Sequence, residues 1–545
     1  MKEKKIGMKG VPGLILCLFL VMFITGSWAQ QRTLTGTVSD VNGQPLPGVT
    51  VVVKGTTTGT VTNAGGDFTL PVPANAQALQ FSFVGMRMQE VPITAQTTFT
   101  IEMEEESIGL QEVVAVGYGT VRKSVLTGAI STVQMETLQP VATQRVDQML
   151  QGRAAGVLVL NTDGSPGGNT TIRIRGMNSI QGGNNALIVI DGFQGGDLNS
   201  INPRDIASIE ILKDASATAI YGAQGANGVV LIETKRGKTD KPVINVSSEF
   251  GVSNILMGGI ELMNAAEYAR EQNRYEMANN FENNPIPIFT DAQISEFERT
   301  GGTDWVDEVY RTGRTQTHQI SLSGRTDKLN YFTSGSVYDE EGIMLNSGYT
   351  RYSLRANFIA EVTDWMKFNL NWDVSQQDRS GPQFGGQLDW PGNPVLGALQ
   401  FAPTIPVYDE NGEYSRPSQR YGEPILWNPV ASALESLNEN ERTTNNVNIY
   451  LDFTLMDGLT LRVGGGARFS DYVVRRFLNN KTHAGSTNNG QGYAFYSKGK
   501  NYQSSNVLNY TKDFGEHHIN AILVGEIKYD NGFKDRKSTR LNSSH

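Results

Sequence analysis

The stretch YGAQGANGVVLIETKRG, Tyr221 to Gly237, runs straight into Lys238 and Thr239. A strand that leads into glycines and a Gly-Lys-Thr resembles the end of a phosphate-binding loop, in which backbone N–H groups cradle phosphates and the lysine reaches them. That loop needs a further glycine five residues before the last one, and it must open a helix. Position 232 is Ile, and the chain after Thr239 continues into Asp240, Lys241 and Pro242. The spacing fails on both counts, so the glycines and the small residues around them call for a mechanical explanation.

Other chemistry is equally thin. The five histidines are His318, His483, the adjacent pair His517 and His518, and His545. None has the HExxH spacing of a zinc peptidase, and no GxSxG nucleophile elbow occurs. Asp191, Glu210, Lys213 and Asp214 read as solvated or domain-internal charges rather than a catalytic set. The expectation is a protein with no catalytic residues, no metal site and no cofactor, hence not an enzyme. In the run YDENGEYS, oxygen side chains surround a glycine, which suits calcium less well than a solvated turn.

The elements that position these residues begin with an export signal. Lysines, then an apolar run from Leu14 to Ile24, then Ser27-Trp28-Ala29 form a secretory signal peptide over 1–29. The apolar run is too short for a membrane helix. Cys17, the only cysteine, leaves with the signal, so the mature segment can form no disulfide or thiolate site. The signal carries four lysines and one glutamate, so its removal takes the formal charge from −9 to about −12. An acidic chain of this kind is a poor nucleic-acid binder.

Residues 30–106 alternate with period two between Gly and Pro turns, as in GTVSDVNGQPLPGVTVVVKGT and DFTLPV. This predicts a small β-sandwich, and it resembles the carboxypeptidase regulatory-like domain, an accessory module. After the acidic stretch Glu102 to Glu106 comes LQEVVAVGYGT, within 107–123. It has strand composition and no obvious hairpin partner, so it reads as an exposed segment able to pair with another protein's sheet, or as an edge strand of the sandwich. Residues 124–240 predict a compact α/β domain. QRVDQMLQGRAAG has helix spacing, TIRIRG and ALIVIDG are short strands, and Val229 to Ile232 suits a strand buried on both faces.

From Pro242 the texture becomes one of long alternating strands. In WMKFNLNWDVS, Met366, Phe368, Leu370, Trp372 and Val374 oppose Lys367, Asn369, Asn371 and Asp373. TRYSLRANFIA and NNVNIYLDFTL repeat the pattern. A sheet with one wet face would do this, but the links alternate long and short: about 253–314, 325–327, 339–348, 361–364, 378–441 and 457–458. Transmembrane barrels have that asymmetry and strands of about ten residues. Tyr349, Trp365 and Tyr472 near strand ends fit interfacial girdles. The long link holds Trp390, Tyr408, Tyr421 and Trp427, which suit a sugar ligand or a miniature core of the loop itself.

Taken together, EVVAVGYGT, TIRIRGMNSI, ALIVIDGF, INPRDIASIEILKDASATAIYGAQGANGVVLIETKRG and TDWVDEVYRTGRTQTHQISLSG resemble the SusC/RagA family of TonB-dependent outer-membrane transporters. The resemblance implies a mostly β protein: signal peptide, regulatory-like sandwich, α/β plug domain over 124–240, then an antiparallel transmembrane β-barrel over 241–534. It implies a TonB box at Glu112, Val113, Val114, Ala115 and Val116. It also implies a plug motif of Arg173, Arg175, Gly176, Asp191, Gly192, Tyr221, Gly222, Asn227 and Gly228. Import of a glycan oligosaccharide, or of a peptide, would be energised by TonB with ExbB and ExbD and assisted by a SusD-type lipoprotein. The chain would sit in outer-membrane lipid, with the sandwich and plug on the periplasmic side. A receptor or signalling barrel without transport is the rival, and an exported enzyme a weaker one. About nine strands are countable where such barrels close with about 22, so a truncated chain and a non-native tail at 535–545 are expected.

Overall fold

The computed structural model describes residues 32–540 apart from 41–42, 57, 74–75, 84–85, 87, 95, 104–112, 117–118, 123–129, 135–144, 162–163, 169, 280–284, 383–389, 417–425, 488 and 516. The signal segment, Glu112 and Tyr421 therefore lie outside the described residues. The chain forms two compact units, one up to Val113 with Val121–Leu126, the other comprising Val114–Thr120 and Thr127 onward.

In the first unit the period-two pattern produces β1 (Arg32–Asp40), β2 (Thr50–Val53), β3 (Gly59–Val61), β4 (Asp67–Val72), β5 (Ala78–Ser82), β6 (Gln89–Pro92) and β7 (Thr98–Met103). They make two sheets, ordered β4-β1-β7 and β3-β2-β5-β6. Leu34, Phe68 and Leu70 of one sheet pack on Val51, Leu79 and Phe81 of the other. The rings of Phe68 and Phe81 meet edge to face at 5.6 Å.

The next pair, β8 (Val113–Val116) and β9 (Gly119–Arg122), forms a two-stranded sheet of its own. This corrects the expectation that the segment has no hairpin partner, and its alternative of a sandwich edge. Two residues, Gly117 and Tyr118, separate the strands, which is hairpin spacing.

The plug region contains β10 (Ile130–Gln134), β11 (Val157–Asn161), β12 (Thr170–Ile174), β13 (Leu187–Ile190), β14 (Phe193–Gln194), β15 (Ile206–Leu212) and β16 (Val229–Thr234). Five of them form a mixed sheet, ordered β10-β15-β16-β13-β14, and β11 pairs with β12. The run Val229 to Ile232 is the centre of that sheet, buried on both faces. The helix expected over QRVDQMLQGRAAG shrinks to Val146–Leu150, because Gln151 is already extended and Gly152 takes φ 72°.

Nine strands follow in chain order as one antiparallel sheet: β17 (Val243–Ser253), β18 (Gly313–Arg325), β19 (Leu329–Glu341), β20 (Gly348–Thr363), β21 (Met366–Ser380), β22 (Ser436–Met456), β23 (Leu459–Leu478), β24 (Gln491–Phe514) and β25 (His517–Arg540). Long and short links alternate as expected, so one rim carries tight turns and the other large excursions. The strands reach 24 residues, well beyond the roughly ten that a bilayer requires. Residues 535–540, within the stretch expected to be a non-native tail, pair in register with 491–496.

Burial along these strands is inverted relative to a water-soluble sheet. On β21 the buried residues are Asn369, Asp373, Ser375 and Gln377, while Trp372 on the opposite face is exposed. The polar face is covered by the plug and the apolar face is left outward, as a barrel in lipid requires. At the long-link rim, helices Trp305–Val309, Pro394–Gln400 and Pro429–Leu434 build a separate small core of Trp305, Met344, Phe401, Leu426 and Val430.

Candidate functional site

The polar face of the wall meets the plug through a buried charge cluster. Arg355 on β20 reaches Asp191 Oδ2 at 3.2 Å, Asp373 Oδ1 at 3.5 Å and Asp205 Oδ2 at 3.9 Å. Asp191 and Asp205 belong to the plug, and Asp373 belongs to the neighbouring wall strand β21. A lone buried carboxylate is costly, so each one is also held by neutral donors. Gln319 Nε2 donates to Asp205 Oδ1 at 2.7 Å, and Ser334 Oγ donates to Asp205 Oδ2 at 2.8 Å. The Thr234 N–H and hydroxyl both donate to Asp191, and Asn446 Nδ2 donates to Asp373 at 2.7 Å.

The contact continues along the wall. Tyr450 donates to the Asp191 carbonyl at 2.9 Å, and Gln503 spans the Gln194 N–H and the Gly192 carbonyl. Arg468 lies over the Phe193 ring at 5.0 Å and donates to the Gly195 carbonyl, while Arg442 pairs with Asp197 at 2.8 Å. Among the described residues, Ser353 Oγ, Ser375 Oγ, Gln377 Nε2 and Asn448 Oδ1 are buried without a protein partner. Polar atoms of that kind are satisfied by water. The seam is thus rich in polar groups, with Phe332, Val474 and Val507 also buried on the wall's inward face.

Where the glycine-rich stretch ends, the chain crosses the wall. Gly237 exchanges hydrogen bonds with Asn330 at 2.8 and 2.6 Å, and a Cβ placed on it would stand 1.9 Å from the Gly324 carbonyl oxygen. Gly228, at φ 87°, lets the chain enter β16 past Ile174, where a Cβ would come within 2.7 Å. These glycines serve close packing and exit from the plug.

The expected plug motif separates into three places. Asp191, at φ 48°, and Gly192, at φ 85°, form the turn that faces Arg355 and Tyr450. Arg175, at φ 56°, pairs with Asp214 beside Gly176, and Arg173 on β12 donates to Met177 Sδ at 3.3 Å. Asn227 donates to the Gly183 carbonyl at 2.8 Å, Tyr221 is buried in the small cluster under β16, and Gly222 takes φ 56° in the preceding 3-10 turn. Arg355, Asp205, Asp373 and Tyr450 were missed. The polar parity of β20 and β21 marks a polar inward face of the barrel, but it does not single out these residues or say which plug groups they meet.

The rim aromatics serve mainly the protein itself. Trp427 donates to the Lys481 carbonyl at 2.6 Å, with Arg416 over its ring at 5.2 Å and His483 at its edge. Tyr408 leans on Tyr414 across a tight turn in which Asp409 accepts from the N–H groups of Asn411 and Glu413. The Trp390 side chain lies outside the described residues. Of the expected girdle, Trp365 is exposed at the tight-turn rim. Tyr349 instead points inward over Gly167 and Tyr472 inward under Arg442, both on the plug side of the wall. Between the plug and the wall, on the long-link side, lies a cavity of about 620 Å³, lined on the wall side by Arg442, Arg468, Tyr472 and Asn501 and on the plug side by Leu187 and Ile188.

Comparison with known proteins agrees with this architecture. The CarboxypepD_reg-like domain matches residues 34–115 and the TonB-dependent Receptor Plug Domain residues 122–229. A TonB-dependent receptor of Formosa agariphila is 35% identical over 524 residues, covering 94% of this chain and 49% of that one. TonB-dependent receptor SusC of Bacteroides thetaiotaomicron is 30% identical over 561 residues, covering 95% and 53%. The solved RagAB peptide importer in its open-open state superposes with a TM-score of 0.66 at 26% identity, over 78% of this chain and 50% of that one. The chain thus spans about half the length of the relatives it matches.

Proposed function

The chain belongs to the TonB-dependent receptors of the SusC/RagA type, and on that premise we propose that the complete protein imports a large solute across the outer membrane. The observation that carries this reading is the plug's attachment by ion pairs and hydrogen bonds to a polar wall, centred on Arg355. A seam of this kind holds firmly at rest and can part under load, because water can replace ion pairs and hydrogen bonds as they separate. TonB, driven by ExbB and ExbD, would supply the load by pairing with the extended segment 112–116, of which Val113–Val116 is already a strand. The sandwich and plug would face the periplasm, and the long-link rim the outside.

An oligosaccharide is our first choice of solute. The cavity beside the plug offers guanidinium, hydroxyl and amide groups suited to a polymer rich in hydroxyls. A peptide is the alternative, favoured by the description of the solved relative as a peptide importer. By family type a SusD-type lipoprotein would hold the solute at the long-link rim. The test uses the full-length transporter: deleting 112–116 should abolish uptake while surface binding and protein level persist. Val114→Pro should act like the deletion, because it removes one main-chain donor from the strand, whereas Val114→Ala should do far less. Normal uptake in a well-expressed deletion variant would refute the mechanism.

A further inference from the structure

The outward face of the sheet is not uniformly flat. Two cross-strand rows run side by side over β17 to β21. The first aligns Val246, Ile320, Gly335, Leu354 and Val374, all of them apolar or lacking a side chain. The second, one step nearer the long-link rim, aligns Ser248, His318, Val337, Tyr352 and Gln376, which is polar at both ends. Their parity is set by the inward neighbours: Ser334 and Gln319 bond Asp205 and Arg355 bonds Asp191, so Gly335, Ile320 and Leu354 must point away from the plug.

Gly335 sits in the middle of the first row, flanked by side chains that stand well clear of the sheet, Ile320 at 57% exposure and Leu354 at 58%. Its missing side chain leaves a dip between them, and a Cβ there would touch Leu354 Cδ2 at 3.3 Å. The result is a groove of about 680 Å³ along these rows. That is within the roughly 300–1,000 Å³ of ordinary small-molecule sites. At its polar end His318 Nδ1 lies 2.9 Å from Ser248 Oγ, and Phe250 meets the His318 ring edge to face.

We propose that this groove is a binding site for one fatty-acyl chain of a membrane lipid, with the lipid headgroup region lying toward His318 and Ser248. The inference rests on the reading of this face as lipid-facing and adds a specific site to it. Hydrocarbon tails are as apolar as the wall, so general apolarity cannot retain a particular lipid. Shape and polar groups can, and this face has both: a dip at Gly335 that accepts a chain, and the bonded pair Ser248 and His318 at the β17–β18 corner of the groove, one step nearer the long-link rim. The occupant is therefore an acyl chain of the leaflet on that side.

Native mass spectrometry of the full-length protein, released from vesicles of phosphatidylethanolamine, tests the site. Wild type should retain a phospholipid adduct under activation that strips other lipids. Gly335→Leu should lose it, and the milder Gly335→Ala should weaken it even if the leucine variant fails to assemble. Gly465→Leu, on the same outward face between β22 and β24 with only an ordinary 3.5 Å contact at its Cβ position, should keep it. Equal adducts in wild type and both Gly335 variants would overturn the groove while leaving the membrane reading intact. Recovery of wild type as a lipid-free dimer through this face would overturn it in favour of a second copy as occupant. Absence of the full-length protein from the membrane fraction would overturn both readings together.

Discussion

Arg355 and Asp191, 164 residues apart in sequence, form an ion pair at 3.2 Å in which each side chain is only 3% exposed. The pair joins the wall strand β20 to the turn after β13. With Asp205 and Asp373 on the same guanidinium, one cation organises three carboxylates at the seam.

Replacing Arg355 with Met should therefore release more than one contact. It leaves the carboxylates buried without their cation, and breaking a buried pair from one side costs about 3–5 kcal/mol. Amide exchange at Val229 to Ile232 in the full-length protein should accelerate accordingly. Adding Asp191→Asn and Asp205→Asn should restore part of the protection, since the neutral side chains no longer need the cation.

Acidity should act on the same seam through Asp205. Burial is the largest influence on its carboxyl and raises its pKa, against the opposing pull of Arg355, Ser334 and Lys235. A carboxyl whose folded pKa is raised contributes stability that is complete below its unfolded value of about 3.9 and lost as pH rises through the folded value. Asp205→Asn should flatten that part of the pH profile of plug stability. An unchanged slope would assign the effect to another group.

Gly237→Val should block assembly rather than loosen it. The backbone is ordinary there, but the Cβ position lies 1.9 Å from the Gly324 oxygen and 2.9 Å from the Tyr331 oxygen, so two chains would have to separate. Gly183→Ala, with nothing within 4 Å, is the matched control. Heat-modifiable protein in membranes should fall sharply for the first and stay normal for the second.

The sandwich should fold alone as residues 32–103. Its core is internal to the fragment, and Phe81 is fully buried within it. Phe81→Ala should cost about 3–5 kcal/mol in chemical denaturation. A fragment without a cooperative transition would contradict the boundary.

Much of the architecture was legible because it is encoded locally. Period-two alternation, Gly and Pro punctuation and the lengths of the links are properties of short windows, and they yielded the sandwich, the strand at Val229 to Ile232 and the nine-stranded sheet. The family motifs were likewise contiguous runs. What an alternating strand cannot state is which face will be covered, since the pattern reads the same with either side inward. That parity was decided when the plug took the polar face, and it turned Tyr349 and Tyr472 inward, away from the girdle positions their strand-end placement suggested. The hairpin partner of Val113–Val116 and the early end of the helix at Leu150 depended on backbone choices that composition only permits. The seam depended most on the tertiary structure. Arg355 with Asp191 and Gly237 with Gly324 are pairs made by segments distant in the chain, and a charge or a missing side chain acquires its role only from what folding places opposite it.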